Sequence, residues 1–306
     1  MNFSNNKKRI PSPWLMNSTN NIISSLIASA IFTLIFYLFN RNASDKQGWI
    51  ASIQIVLVFF FCSLCAYFLI RYYIKKKYKP IKAIVFDFDG TLARCKVSEM
   101  KSSWEVIWNE LGYKTSDCEK LYKEFKAKQI THQEWCDKTC VAFKKKNLDE
   151  NTIKKVAAHF ELYKNVKEVL EKLKQREIKL YLVSGSILQL IREIWKDELY
   201  DYFNECKANK FRFQNGKLEE IIGTRYDFEG KAQFIREIYS HLNLNSPSEI
   251  LFIGNSDNDL LAYKSGARTL CLNAKLVNPD DKKRFHNSIK TENFEDLYNL
   301  LEKEYL

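Results

Sequence analysis

Asp87 and Asp89 stand one residue apart at the end of the apolar run Ala83-Ile-Val-Phe86, with Gly90 directly behind them. Two carboxylates that close suit a hard cation, and one of them can act as a covalent nucleophile. Three other stretches carry compatible groups. Ser184-Gly185-Ser186 follows the run Ile178 to Val183. A hydroxyl with free backbone N–H groups at such a turn can cradle a phosphate, and the same residues can equally serve as a helix N-cap. Lys231, after Gly230, opens a helical stretch, either as a cation facing an anion or as solvated surface. Gly254-Asn-Ser-Asp-Asn-Asp259 follows the run Ile250 to Ile253 with amides and carboxylates.

The elements that must position these groups can be read from periodicity. Runs 83–86, 178–183, 250–253 and 269–272 are apolar without polar alternation, as in parallel strands covered on both faces. In an open sheet of that kind, ligands bind beyond the carboxyl ends of the strands, where three of the four polar groups fall, with Lys231 at a helix start. From Ala93 to about Glu177 the pattern is helical. Val97, Met100, Trp104, Ile107, Trp108 and Leu111 follow helical spacing, which makes both tryptophans core residues. Thr131-His-Gln-Glu134 matches a capping box, and 166–174 is a further amphipathic helix. So long a helical insertion predicts a small cap, about 93–165, over the strand ends. Lys207 to Thr224 reads as a hairpin turning at Asn215-Gly216. Helices follow at 187–195, 232–242, 260–265 and 294–305, and Thr269 to Leu272 is the last core strand.

The net charge of +11 is uneven, since residues 1–82 hold +10 of it and only one acid, Asp45. Runs 22–39 and 49–70 carry no charge and approach the ~20 residues that span a bilayer core. They predict a transmembrane helical hairpin between a basic segment, 1–21, and a basic linker, 71–82. The excess of Lys and Arg at its outer ends places both termini and the domain 83–306 in the cytoplasm. The positive charge is therefore juxtamembrane, and a nucleic-acid partner finds no support. Cys62 and Cys65 lie inside the second run as packing residues, and Cys136 and Cys140 are one helical turn apart. No histidine or cysteine set has zinc spacing, which fits reduced thiols in a cytoplasmic setting.

Asp-Phe-Asp-Gly-Thr (87–91), Val-Ser-Gly-Ser (183–186), Lys231 and Gly-Asn-Ser-Asp-Asn-Asp (254–259) occur in the order found in the haloacid dehalogenase-like hydrolases. The chain resembles that superfamily over about residues 80–275, and within it the phosphoserine-phosphatase-like branch with a helical cap. The resemblance implies an α/β fold, a doubly wound parallel, Rossmann-type sheet with the cap inserted after the first strand. It implies that Asp87 attacks phosphorus and that Asp89 is the acid and then the base. Ser184, Gly185 and Lys231 would hold the phosphate, and Mg²⁺ would bind through Asp87, Asp89, Asn255 and Asp259. The family's last motif usually begins Gly-Asp, whereas here it is Gly254-Asn255, which predicts weaker metal affinity. The phosphoserine-specific enzymes carry a glutamate nine residues after the nucleophile; here that residue is Lys96, so phosphoserine is a poor substrate guess. Arg94, Lys96 and Lys101 would instead suit an anionic substrate or lie in solvent. The expected function is a membrane-anchored, Mg²⁺-dependent phosphomonoesterase acting on a small-molecule or lipid-linked phosphate. A phosphotransferase using the same intermediate and a catalytically weak membrane scaffold are the alternatives.

Overall fold

The computed structural model describes residues 79–306 except 98, 99 and 101, together with the single helical residues 31, 61, 64, 65 and 68. The chain divides into two units, Met1–Lys79 and Pro80–Leu306. Nearly all of the predicted hairpin, 22–39 and 49–70, and linker residues 71–78 lie outside the described residues. Among the described residues no helix is long and apolar enough to cross a membrane.

The second unit is built on β1 (Ala83–Phe86), which lies at the centre of the sheet. The cap follows it: β2 (Ala93–Cys95), α1 (Ser103–Glu110), α2 (Thr115–Lys126), α3 (His132–Lys145), α4 (Glu150–Ala157) and β3 (Phe160–Leu162). The chain returns through α5 (Val166–Gln175), β4 (Lys179–Ile187), α6 (Leu188–Ile194), α7 (Leu199–Tyr202), β5 (Glu205–Gln214) and β6 (Lys217–Ile222). It ends with α8 (Gly230–His241), β7 (Ile250–Ser256), β8 (Arg268–Lys275), β9 (Asn287–Ile289) and α9 (Phe294–Glu304). Strand order is β6-β5-β4-β1-β7-β8-β9, parallel throughout except for the β5–β6 hairpin.

All four β1 residues are buried, and alternate ones face opposite layers. Ile84 and Phe86 pack with Val169, Leu170 and Leu173 of α5 and Leu297 and Leu301 of α9. Ala83 and Val85 pack with Phe234, Ile235 and Ile238 of α8. A strand covered on both sides needs no polar alternation, which is why its sequence is uniformly apolar. Burying each large side chain here contributes roughly 1.5–3 kcal/mol.

The cap has its own core, in which Val106, Ile107 and Trp108 of α1 meet Cys136 and Phe143 of α3. Phe211, Leu218 and Ile221 of the β5–β6 hairpin complete that cluster, so the hairpin is the shelf on which the cap rests. The hairpin turns at Asn215 and Gly216, both with positive φ (50° and 75°), as a tight two-residue turn requires. At the start of α3 the Glu134 N–H donates to Thr131 Oγ1 (3.2 Å) and the Glu134 carboxylate accepts from the Thr131 N–H (2.6 Å).

Two elements differ from the sequence expectation. The stretch from Ala93 is not helical throughout, because β2 and β3 pair antiparallel, Ala93 opposite Leu162 and Cys95 opposite Phe160. Three residues per strand give no alternation strong enough to interrupt a helical pattern. Likewise β8 is not the last strand, since the short, polar β9 adds to it as a parallel edge.

Candidate active site

The ladder that carries β1 continues one residue beyond it, as the Asp87 N–H donates to the Ile253 carbonyl (2.9 Å). Backbone pairing thus fixes Asp87 between β4 and β7, at the carboxyl end of the sheet's central strand. The Phe88 carbonyl then accepts from the N–H groups of Thr91, Leu92 and Ala93 (3.1, 2.9 and 3.2 Å), closing a tight turn. Gly90 makes that turn with φ +75°, and a Cβ there would lie 2.1 Å from the Asn255 amide nitrogen. Glycine is required for both the backbone conformation and the close approach of Asn255.

Lys231, in the first turn of α8 and only 1% exposed, is the cation of the site. Its Nζ donates to Asp87 Oδ1 (2.9 Å) and Asp259 Oδ1 (2.6 Å). An ammonium at a helix N-terminus opposes the helix dipole, so the two carboxylates are what hold it there. Burial pulls the lysine down, but Asp259 and Asp87 outweigh that and keep it above its usual range. Asp87 is 4% exposed, and burial pushes its carboxyl up to about 7. Lys231 pulls it back, while the Asp259 and Asp89 charges push it further up. The sense is consistent: an ammonium between two carboxylates is held charged, while a buried carboxyl beside other carboxylates is pushed up.

Asp259, a metal ligand by the resemblance, accepts hydrogen bonds through both of its carboxylate oxygens. Its Oδ1 is held by Lys231, and its Oδ2 accepts from the N–H groups of Asn255 (2.8 Å) and Ser256 (2.9 Å) and from Ser256 Oγ (3.2 Å). Through these bonds Asp259 orients Lys231 and folds the loop after β7. Asn255 is 2% exposed and its Oδ1 accepts no hydrogen bond from any described residue; the same is true of Asp89 Oδ1. Buried acceptors without donors, beside a carboxylate that burial pushes up, fit a hard divalent cation. Asp87, Asn255 and the Asp89 carbonyl would supply its oxygens. No cluster of three or more His, Cys, Asp or Glu side chains suited to a metal occurs among the described residues. The amide and the carbonyl would therefore have to complete the set.

Ser184 and Gly185 lie in β4, beside β1. Ser184 is 1% exposed, and its Oγ accepts from the Ser186 N–H (3.2 Å). The Gly185 carbonyl accepts from Trp104 Nε1 of the cap (2.8 Å) and from Asn209 Nδ2 of β5 (2.6 Å). A Cβ on Gly185 would lie 2.4 Å from Asp227 Oδ2, so this glycine leaves room for the carboxylate beside it. Asp89 reaches into the cap: its Oδ2 accepts from both the N–H (3.1 Å) and the Oγ (2.7 Å) of Ser103. Burial pushes the Asp89 carboxyl up against those two hydrogen bonds.

Ser103, Asn209 and Asp227 are the residues sequence reasoning passed over, while Trp104 was read as core and Ser186 as part of the turn after Val183. Trp104 packs against Trp135, Phe143 and Phe211 as its spacing predicted, yet its indole N–H also ties the cap to the β4 loop. Asn209, fully buried in a strand of otherwise apolar inward residues, was the one legible signal. Of the cations proposed for an anionic substrate, Arg94 is paired with Glu161 and Glu292 (2.7 Å each). Lys96 is exposed, and Lys101 lies outside the described residues.

The family model for haloacid dehalogenase-like hydrolases matches residues 81–266. A phosphoserine phosphatase of Archaeoglobus fulgidus is 24% identical over 200 residues, which is 65% of this chain and 54% of that protein. The chain thus spans about half the length of the curated relative it matches. A phospho-aspartyl intermediate analogue of phosphoserine phosphatase superposes with a TM-score of 0.56 at 20% identity, covering 72% of this chain and 99% of that one. A HAD-family hydrolase of Salmonella enterica serovar Typhi gives 0.58 at 19% identity, covering 74% and 72%. At these identities the structures establish a common fold.

Proposed function

The chain belongs to the haloacid dehalogenase-like hydrolases, and on that premise we propose that it hydrolyses phosphate monoesters through an aspartyl-phosphate on Asp87. The observation that carries this reading is the buried Lys231 ammonium held between Asp87 Oδ1 and Asp259 Oδ1. Asp87 Oδ2 is then the oxygen that attacks phosphorus as the bond to the leaving oxygen breaks. Asp89, with Oδ1 unpartnered, gives that leaving oxygen its proton. It then takes a proton from the water that attacks phosphorus and releases phosphate from Asp87. Lys231, Ser184 Oγ and the backbone at Gly185 hold the phosphoryl oxygens. A Mg²⁺ ion on Asp87, Asn255 and the Asp89 carbonyl would neutralise charge on those oxygens. Phosphoryl transfer asks mainly for positioning and charge stabilisation, which this set provides.

The test is Mg²⁺-dependent phosphate release from a panel of lipid, sugar and amino-acid phosphates. Turnover should fall to background in Asp87→Asn; turnover that survives this change would remove Asp87 as the nucleophile. Adding an alcohol acceptor separates hydrolysis from phosphotransfer, because only the latter yields a new ester.

The reading extends to a membrane-anchored enzyme with its catalytic domain and both termini in the cytoplasm, acting on a lipid-linked phosphate. What supports this is the sequence: uncharged runs at 22–39 and 49–70, with nearly all the net charge on residues 1–82. Ile31 and Phe61, within those runs, are helical and leave 52% and 66% of their surface uncovered. Extraction of the full chain by detergent but not by alkaline carbonate tests the anchor. Activity on phosphatidyl phosphates in micelles no better than on soluble monoesters would overturn the lipid substrate.

A further inference from the structure

We propose that Ser103, contributed by the cap, is the positioning residue that presents the Asp89 carboxyl to the leaving group. The proposal rests on the phosphatase reading above. Ser103 is the first residue of α1 and fully buried. It donates twice to one oxygen, Asp89 Oδ2, through its N–H (3.1 Å) and its Oγ (2.7 Å). A serine hydroxyl has one proton, and this one is given to the carboxylate. Its lone pairs are then free to accept, and Ser186 Oγ donates to them at 2.8 Å. Ser186 is itself 1% exposed, and its N–H donates to Ser184 Oγ. One directed chain therefore runs from the phosphate-binding loop through the cap to the acid, Ser186 to Ser103 to Asp89.

The chain fixes which oxygen does the chemistry. Oδ2 is held by two donors, and a carboxylate at the N-terminus of α1 is also in a favourable field. Oδ1 is buried with no hydrogen bond from any described residue, so it is the oxygen left to hand a proton to the ester. The next cap residue locks the arrangement, since Trp104 Nε1 donates to the Gly185 carbonyl (2.8 Å). Asp89 lies on the core and Ser103 on the cap, so the oriented acid is complete only while α1 rests on the strand ends.

The leaving group supplies a test that separates orientation of the acid from cap stability. An alkyl phosphate needs a proton on its departing oxygen, whereas 2,4-dinitrophenolate departs without one. The measurement is kcat/KM of the full-length protein on both esters, because this quantity reports steps up to ester cleavage. In Ser103→Ala the alkyl value should fall by about tenfold or more, part of the 10²–10⁴ a positioned acid supplies. The dinitrophenyl value should stay within about threefold of wild type, since its leaving oxygen needs no acid. Ser186→Ala, which leaves α1 untouched, should give a smaller loss with the same selectivity. An equal loss on both esters, or no loss on either, in both variants overturns the proposal. A wild-type protein that cleaves neither ester overturns the phosphatase reading instead.

Discussion

Asp87, Ser184 and Asn255 reach the site from the core, and Ser103 and Trp104 reach it from the cap, by different physical means. The core residues are set by the parallel ladder of β1, β4 and β7, and the core's charged contact is the Lys231 ammonium shared between Asp87 and Asp259. The cap residues sit at one end of one helix and meet the core through uncharged donors, one hydroxyl, one amide and one indole. A buried charge cannot lose its partner cheaply, whereas a neutral donor that is lost costs far less. The core half of the site should therefore be unforgiving of substitution and the cap half graded.

Lys231→Met is the most severe test of that contrast. It removes the ammonium bonded to Asp87 and Asp259 while keeping roughly the volume of the side chain. Breaking a buried pair from one side costs about 3–5 kcal/mol, and urea unfolding at pH 8 should show a loss of that order. A loss below about 1 kcal/mol, the size of one neutral hydrogen bond, would erase the distinction between core and cap.

The pH dependence of the metal-free protein sharpens the same point. Asp87 titrates at about 7 in the fold against 3.8 for an ordinary aspartate. Between those values the folded state binds more protons than the unfolded chain, so stability falls as pH rises. The contribution of Asp87 is thus present in full below pH 3.8 and is lost as pH climbs through about 7. Asp87→Asn should flatten that part of a stability–pH curve; an unchanged slope would assign the proton to another group.

How much of this was legible beforehand divides along the same line. Asp87 and Asp259 follow apolar strands and Lys231 opens a helix, so their places were readable, while the role of Lys231 came from the family resemblance. The turn at Asn215-Gly216 and the capping box at Thr131 were equally readable, because their signals are local. Ser103 was not: its hydroxyl partner Ser186 is 83 residues away, and a serine before a helix reads as an N-cap. The cap in fact uses the preceding Ser102 for that purpose, with Ser102 Oγ accepting from the Glu105 N–H (3.3 Å). The β2–β3 ribbon and β9 were hidden because three residues carry no period. For Asp259, residue type alone could not say that its oxygens accept from Lys231 and from the loop's own N–H groups.

Asn255→Asp probes the core at its one departure from the family pattern. A second carboxylate ligand should raise Mg²⁺ affinity by roughly tenfold, equivalent to about 1.4 kcal/mol. It should also make the metal-free protein less stable, by adding charge to a site where the Asp87 carboxyl is already driven upward. Calorimetric titration and melting with and without Mg²⁺ read both effects without recourse to activity. Unchanged affinity would mean that Asn255 is not a ligand.

Trp104→Phe is expected to have the smallest effect and bears most directly on the cap. The substitution removes the indole donor to the Gly185 carbonyl but keeps a ring against Trp135, Phe143 and Phe211. That carbonyl is not orphaned, because Asn209 Nδ2 still donates to it at 2.6 Å. The loss should then be that of one net hydrogen bond, about 1 kcal/mol. Part of it should appear as a KM a few-fold higher, because the β4 loop that holds phosphate is less firmly tied to the cap. kcat should change little, since Ser103 still holds Asp89 through two donors of its own. A collapse of kcat comparable to that in Asp87→Asn would mean that the indole, rather than Ser103, governs how the cap completes the site, and the graded cap would give way to a second rigid half.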